Sequence, residues 1–155
     1  MNDLMTLAAA GLLVMTVSAQ AQTTSVGHGV SESEVVPISE SLILINARTM
    51  YTDIVSDDMD NPLLNATGPC TGTILINAGV VSGGGYCHYT DASGDQAVVR
   101  WDAEGMSAEG RTLGSWSVVG GTGSWMTRTG GGGFDAGTGA DGAYTNNISG
   151  GFMMN

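Results

Sequence analysis

The sequence predicts an all-β protein, a single antiparallel β-barrel of about eight strands. Three observations carry that reading. Apolar residues come in short runs bounded by Gly, Asn, Asp and Pro, and no segment after residue 29 holds a helical period. Residues 96–104 alternate in the manner of a half-buried antiparallel strand: Ala97, Val99, Trp101 and Ala103 share one face, while Gln96, Arg100, Asp102 and Glu104 share the other, with Val98 the exception. About eight such runs separated by Gly-rich turns suit a closed barrel or a sandwich, and closure removes the exposed edges that a lone sheet leaves.

Taken in chain order, residues 4–17 form an apolar run of signal-peptide length, too short to span a bilayer. Ala19-Gln20-Ala21 follows as a small-x-small cleavage site, so residues 1–21 are expected to be removed and the mature chain to start at Gln22. The n-region, Met1 to Asp3, lacks Lys and Arg, as it would if a basic stretch lay upstream of Met1. Residues 22–29 read as a flexible Ser/Thr-rich lead and residues 30–155 as the barrel domain. Strands are expected at 30–39, 41–55, 71–77, 80–89, 96–104, 115–119, 124–129 and 143–150. Between them, Asp91-Ala92-Ser93-Gly94 fits a tight reversal with Asp first and Gly last. Residues 57–62 form an acidic loop, and residues 130–142 a Gly-rich connection expected to be mobile at its tip.

Composition bounds the function. Leu, Ile, Val and Phe make up just under a fifth of the chain after Ala21, close to the disorder boundary. Three Trp, four Tyr and clustered β-branched pairs between glycine turns argue for a folded domain instead. The chain has 15 acidic residues against four basic ones, all Arg, and a formal net charge of −11. Such a surface repels phosphate backbones and anionic lipid, so neither nucleic acid nor an anionic membrane is an expected partner. Without Lys there is no Schiff base and no P-loop. No membrane span is expected in the mature chain, and the aromatic girdles of a transmembrane barrel are not apparent.

Cys70 and Cys87 are the only cysteines. An even count in an exported domain favours a disulfide. Their midpoint falls between Ala78 and Gly79. If those two residues form a hairpin turn, Asn77 pairs with Val80 and Cys70 falls opposite Cys87, on a non-hydrogen-bonded pair where Cα atoms come close. A bulge at Gly83-Gly84-Gly85 would shift that count. A metal–thiolate pair has no support, since there is no C-x-x-C and both His are isolated.

Motifs for chemistry are sparse. Gly137 to Gly142 satisfies G-x-G-x-x-G but no helix follows to receive a pyrophosphate. His88 lies near Asp91 and Asp95, as an oriented base would, yet a strand-end His beside turn aspartates is more often solvated. Asp57, Asp58, Asp60 and Asn61 could offer oxygens to Ca²⁺ but lack EF-hand spacing. Asn65-Ala66-Thr67 and Asn147-Ile148-Ser149 are glycosylation sequons if the source is eukaryotic. No cofactor and no metal are expected, and no catalytic residue is assigned.

From Gly68 onward the chain resembles the allene oxide cyclase and dirigent superfamily of small secreted, calycin-like barrels. The resemblance rests on G-P-C-T-G-T at Gly68 to Thr73, G-G-G-Y-C at Gly83 to Cys87, D-A-S-G-D at Asp91 to Asp95, and W-S-V-V-G-G-T-G-S-W at Trp116 to Trp125. It implies an eight-stranded antiparallel barrel with a central apolar cavity. It also implies either cofactor-free cyclisation or orientation of a reactive hydrophobic intermediate, or no activity at all. Outside the glycine framework the motifs of the characterised enzymes' cavity residues are not matched.

The expected role is therefore that of a secreted or periplasmic barrel binding a small hydrophobic molecule, with a cofactor-free cyclase or isomerase and a ligand-free structural barrel as alternatives. Trp101 and Trp116 are the candidate ligand contacts, because each sits on an apolar strand face and an indole N–H can fix a ligand's polar end. Arg48 is a third, conditional on orientation. One face of residues 41–55 holds Leu42, Leu44, Asn46, Arg48, Met50 and Ile54; the other holds Ile43, Ile45, Ala47, Thr49, Tyr51 and Val55. If the first turns inward, Arg48 is a buried cation that needs a carboxylate and marks a site. If the second does, which is the favoured reading, Arg48 is an ordinary surface residue.

Overall fold

Eight strands follow one another around a closed antiparallel barrel, each hydrogen-bonded to its sequence neighbours, with the last pairing to the first. The computed structural model describes residues 23–154, so the predicted signal peptide lies outside the described residues. The strands are β1 (Thr23–Pro37), β2 (Leu42–Ser56), β3 (Gly68–Asn77), β4 (Val80–Thr90), β5 (Gln96–Met106), β6 (Thr112–Gly121), β7 (Arg128–Thr138) and β8 (Tyr144–Met154). Among the described residues no helix is long and apolar enough to cross a membrane.

Two stretches expected to lie outside strands are strands. Thr23 to Gly29, read as a lead, is the segment that closes the barrel: it pairs with β8 from Thr23↔Gly150 to Gly29↔Tyr144. Its lack of large apolar residues has a steric reason, since a Cβ at Gly27 would come within 2.6 Å of the Tyr51 ring. The Gly-rich run from residue 130 is β7, paired with β6 and β8 on its two sides. Glycine carries little strand propensity, but a strand flanked on both sides is held by backbone bonds alone. Conversely, of the strand expected at 124–129 only Arg128 and Thr129 are in a strand. Gly123–Met126 is a short 3₁₀ turn, and β7 starts only at Arg128.

The β3–β4 hairpin matches the spacing argument. Ala78 and Gly79 form the turn, both with positive φ (49° and 81°), as a primed two-residue turn requires. The register runs unbroken from Asn77↔Val80 to Cys70↔Cys87, and the two cysteines form a disulfide. The triple glycine introduces no bulge.

The register also sets the barrel's width. Starting at Ser33, one row of cross-strand partners runs through Ala47, Gly72, Gly85, Trp101, Trp116, Gly132 and Gly150 and returns to β1 at Thr23. The offset along β1 is ten residues (33 − 23 = 10). With a rise of about 3.3 Å and a strand spacing of about 4.8 Å, that stagger over eight strands gives a tilt of about 40° and a radius of about 8 Å. A barrel this wide either fills with side chains or holds one small ligand.

The row shows which occurs. It contains two tryptophans and four glycines, and the indoles lie across the glycines. A Cβ at Gly72 would run into Trp101, and one at Gly150 would come within 2.9 Å of Trp116 Cζ2. Phe134 lies over Gly114 in the same way, 2.7 Å from where a Cβ would be. The aromatics are thus laid along the wall and leave the axis open.

Candidate functional site

The barrel encloses a cavity of about 340 Å³ to which all eight strands contribute. One end is shut. Leu63 and Ala66 from the β2–β3 loop and Trp125 from the 3₁₀ turn are buried there, Trp125 completely. At the other end, around Ser33, Met106, Gly110, Thr112 and Thr138, the cavity opens.

The wall is apolar with a few neutral polar groups. Ile45, Ala47, Ile74, Val99, Trp101, Trp116, Phe134, Ala136 and Ile148 supply most of it, joined by the Cys70–Cys87 disulfide. Among the described residues, its lining holds no Asp, Glu, His, Lys or Arg side chain.

β2 turns its second face inward. Ile45, Ala47, Thr49 and Tyr51 line the cavity, and Arg48 is exposed on the outside, where it faces Glu32 of β1 and Thr71 of β3. The structure therefore separates Arg48 from the lumen. A register shift opposite His28 and Gly29 leaves Thr52 unpaired, so the alternation slips by one and Ile54, not Val55, is buried beyond it.

Trp101 and Trp116 stand side by side on β5 and β6 and both line the cavity. Their polar ends differ. Trp116 Nε1 donates to the Ser149 carbonyl at 3.0 Å. Trp101 Nε1 is buried without a partner, while its ring meets Phe134 edge-on with centroids 6.3 Å apart.

A polar cluster on the wall was not singled out in the sequence. Asn146 Nδ2 donates to Tyr51 Oη at 2.8 Å, and the Tyr51 and Tyr144 hydroxyls are 3.2 Å apart. Tyr89 packs edge-on against Tyr51 at 5.6 Å. Its hydroxyl lies 3.4 Å from Cys70 Sγ and must be the donor, because a disulfide sulfur carries no hydrogen. Asn146 is buried, and its Oδ1 has no partner. Burial, reinforced by the neighbouring phenols Tyr89 and Tyr144, raises the Tyr51 pKa well above its usual value; burial does the same for Tyr89. Both stay protonated and neutral. The signal available in the sequence was the i, i+2, i+4 spacing of Tyr144, Asn146 and Ile148, which puts an amide on an otherwise apolar face.

The remaining candidates fall outside the lumen. His88 is exposed on β4. Asn61 is a buried structural residue: its amide donates to Ser25 Oγ at 2.7 Å and its carbonyl takes the Leu63 N–H at 2.9 Å. Among the described residues no group of three or more His, Cys, Asp or Glu side chains is placed to hold a metal ion.

Compared with family models, curated proteins and solved structures, the chain matches none. The barrel and its lumen are thus what speaks to function.

Proposed function

We propose that this protein is a binding barrel for one small, largely apolar molecule held in the lumen, with Trp101 and Trp116 as contacts. The observation that carries the reading is a cavity of about 340 Å³, open at one end, whose apolar and uncharged wall includes both indole rings. The volume lies in the lower part of the range for small-molecule sites, about 300–1,000 Å³. A wall of neutral groups, with tyrosines held protonated, supports binding rather than acid–base chemistry.

The likeness to allene oxide cyclase and dirigent-like barrels belongs to this proposal, supported by the eight-strand closure and the glycine framework around the indoles. Export to a secreted or periplasmic location belongs to it as well, supported by the disulfide and the signal-like first 21 residues. The test is mass spectrometry of small molecules extracted from protein purified from its source, followed by titration of each hit against tryptophan fluorescence. A stoichiometric apolar ligand returned unchanged is expected. Return of an isomer would assign a cyclase, and a lumen that takes up no apolar compound would defeat the binding reading.

A further inference from the structure

We infer that the ligand is an elongated apolar molecule, longer than the lumen, whose outer end lies on a sheet that projects from the mouth. This rests on the binding reading above and adds the ligand's length to it.

The barrel is not closed along its whole height. Val30 to Pro37 of β1 pair with β2 only, because pairing with β8 stops at Gly29. Val80 to Gly83 of β4 pair with β3 only, because pairing with β5 starts at Gly84. Two hairpins therefore extend past the closed ring at the open end as a four-stranded tongue. Residues 30–45 and 74–81 hold 13 of the 26 Leu, Ile, Val and Phe residues found after Ala21, so the large apolar side chains are concentrated there.

The inner face of the tongue continues the lumen wall. Strand alternation puts Val35, Ile45, Ile74 and Gly83 in one cross-strand row on the lumen side, and Pro37, Ile43, Ile76 and Val81 in the next. Ile45 and Ile74 line the cavity, and the second row lies beyond it. Neither row holds a polar side chain, yet Val35 is 57% exposed and Ile43, Ile76 and Val81 are only half-buried. Exposed apolar surface of this kind marks a binding surface. The occupant placed to cover it is the one that already fills the lumen, because the two surfaces are continuous. A second copy is opposed by charge: pairing along the free β1 edge would set Glu32 and Glu34 of one copy against those of the other.

The lengths follow from the strands. On β2 the lumen lining runs from Tyr51 to Ile45, about 15 Å along the axis at a rise of about 3.3 Å and a tilt of about 40°. The row at Ile43 adds about 5 Å. An extended chain advancing about 1.3 Å per carbon would place about 12 carbons in the lumen and about four more on the tongue.

The test displaces the uncharged fluorescent probe N-phenyl-1-naphthylamine from the whole protein with 1-monoacylglycerols of 10, 12, 14 and 16 acyl carbons, each below its micelle concentration. A carbon covered on one side should tighten binding about twofold, so the 16-carbon chain is expected to bind about tenfold or more tighter than the 12-carbon chain. Ile43→Asn combined with Ile76→Asn should cut that gain to less than about threefold while changing binding of the 10-carbon chain less than about twofold. Val35→Ser alters one exposed side chain on a free edge, so it reports even if the double variant fails to fold. It should weaken the 16-carbon chain about two- to threefold and leave the 10-carbon chain unchanged. Affinity that levels off at 12 carbons, or a gain that survives these substitutions, overturns the inference and leaves the binding barrel standing. So does sedimentation that finds a native dimer dissociated by the double variant, since a second copy then covers the tongue. Failure of the probe and every chain to bind overturns both.

Discussion

The two ends of this barrel are built from the same strands and end differently because their connections differ. At the closed end the chain crosses by residues 57–67, 91–95 and 122–127, two of them long enough to carry a side chain inward over the axis. Leu63 and Trp125 do so, and each is pinned by a polar group. Asn61 positions the backbone at Leu63, and Trp125 Nε1 donates to Asp91 Oδ2 at 2.8 Å while Arg128 stacks over its ring at 5.2 Å. At the open end the connections are residues 38–41, 78–79, 107–111 and 139–143, mostly tight turns that reverse the chain at the rim. None sends a large side chain across, so the lumen stays open there. Loop length, not strand chemistry, decides which end is floor and which is mouth.

That contrast predicts where the molecule is fragile. Trp125→Ala should be the most damaging change, since it empties the floor and strands the Asp91 carboxylate's partner site. A loss of about 3–5 kcal/mol is expected, read as the shift in urea midpoint. Reducing the disulfide, or replacing both cysteines by Ala, should cost about 3 kcal/mol for a loop closed over 17 residues. Thiol labelling before reduction should find neither cysteine reactive.

The mouth has one comparable clamp. Arg111 binds the Asp135 carboxylate and donates to the carbonyls of Asp135 (2.8 Å) and Thr145 (3.1 Å), tying the rims of β6, β7 and β8 together. Arg111→Met should lower stability by about 1.5–3 kcal/mol, less than loss of the floor. If it costs as much as Trp125→Ala, the two ends are not unequal in the way proposed.

Asp91 gives the closed end a pH signature. Its partial burial works against the charge, but bonds from Ser93, Trp125 and the Asp95 and Ser93 N–H groups outweigh that and hold its pKa below the usual carboxylate value. A depressed folded-state pKa means the contribution is whole above the unfolded value of about 3.9 and is lost as pH falls through the folded value. Stability of the native protein should therefore fall more steeply below about pH 4 than that of Asp91→Asn, measured by urea titration at each pH. The smallest effect belongs to the rim. Ala78 holds φ of 49°, which a β-carbon disfavours, so Ala78→Asn should raise stability by about 0.5–1 kcal/mol, read from the urea midpoint.

Much of the fold was legible in the residues. Alternation at 96–104, the Ala78-Gly79 turn midway between the cysteines, and the Asp91-to-Gly94 reversal all depend on neighbours in sequence or on pairing across one turn. The glycine-rich β7 was not legible, because a glycine strand is recognisable only by what lies over it. Nor was the start of β1, whose small residues make sense only beneath Tyr51. At the site, the two tryptophans were legible from strand alternation. Asn146 and the tyrosines were not, since a hydrogen-bonded chain linking β2 to β8 joins residues some 95 positions apart.

By itself, then, the sequence determined a β chain of about eight strands with one disulfide, because strand period, turn chemistry and hairpin register are local properties. Only the tertiary structure decided that β2 turns Tyr51 inward and Arg48 outward, that the indoles lie over glycines two strands away, and that Tyr51, Tyr144 and Asn146 meet on one wall of the lumen. Each of these depends on the ten-residue stagger with which β8 meets β1, and that stagger exists only once the barrel has closed.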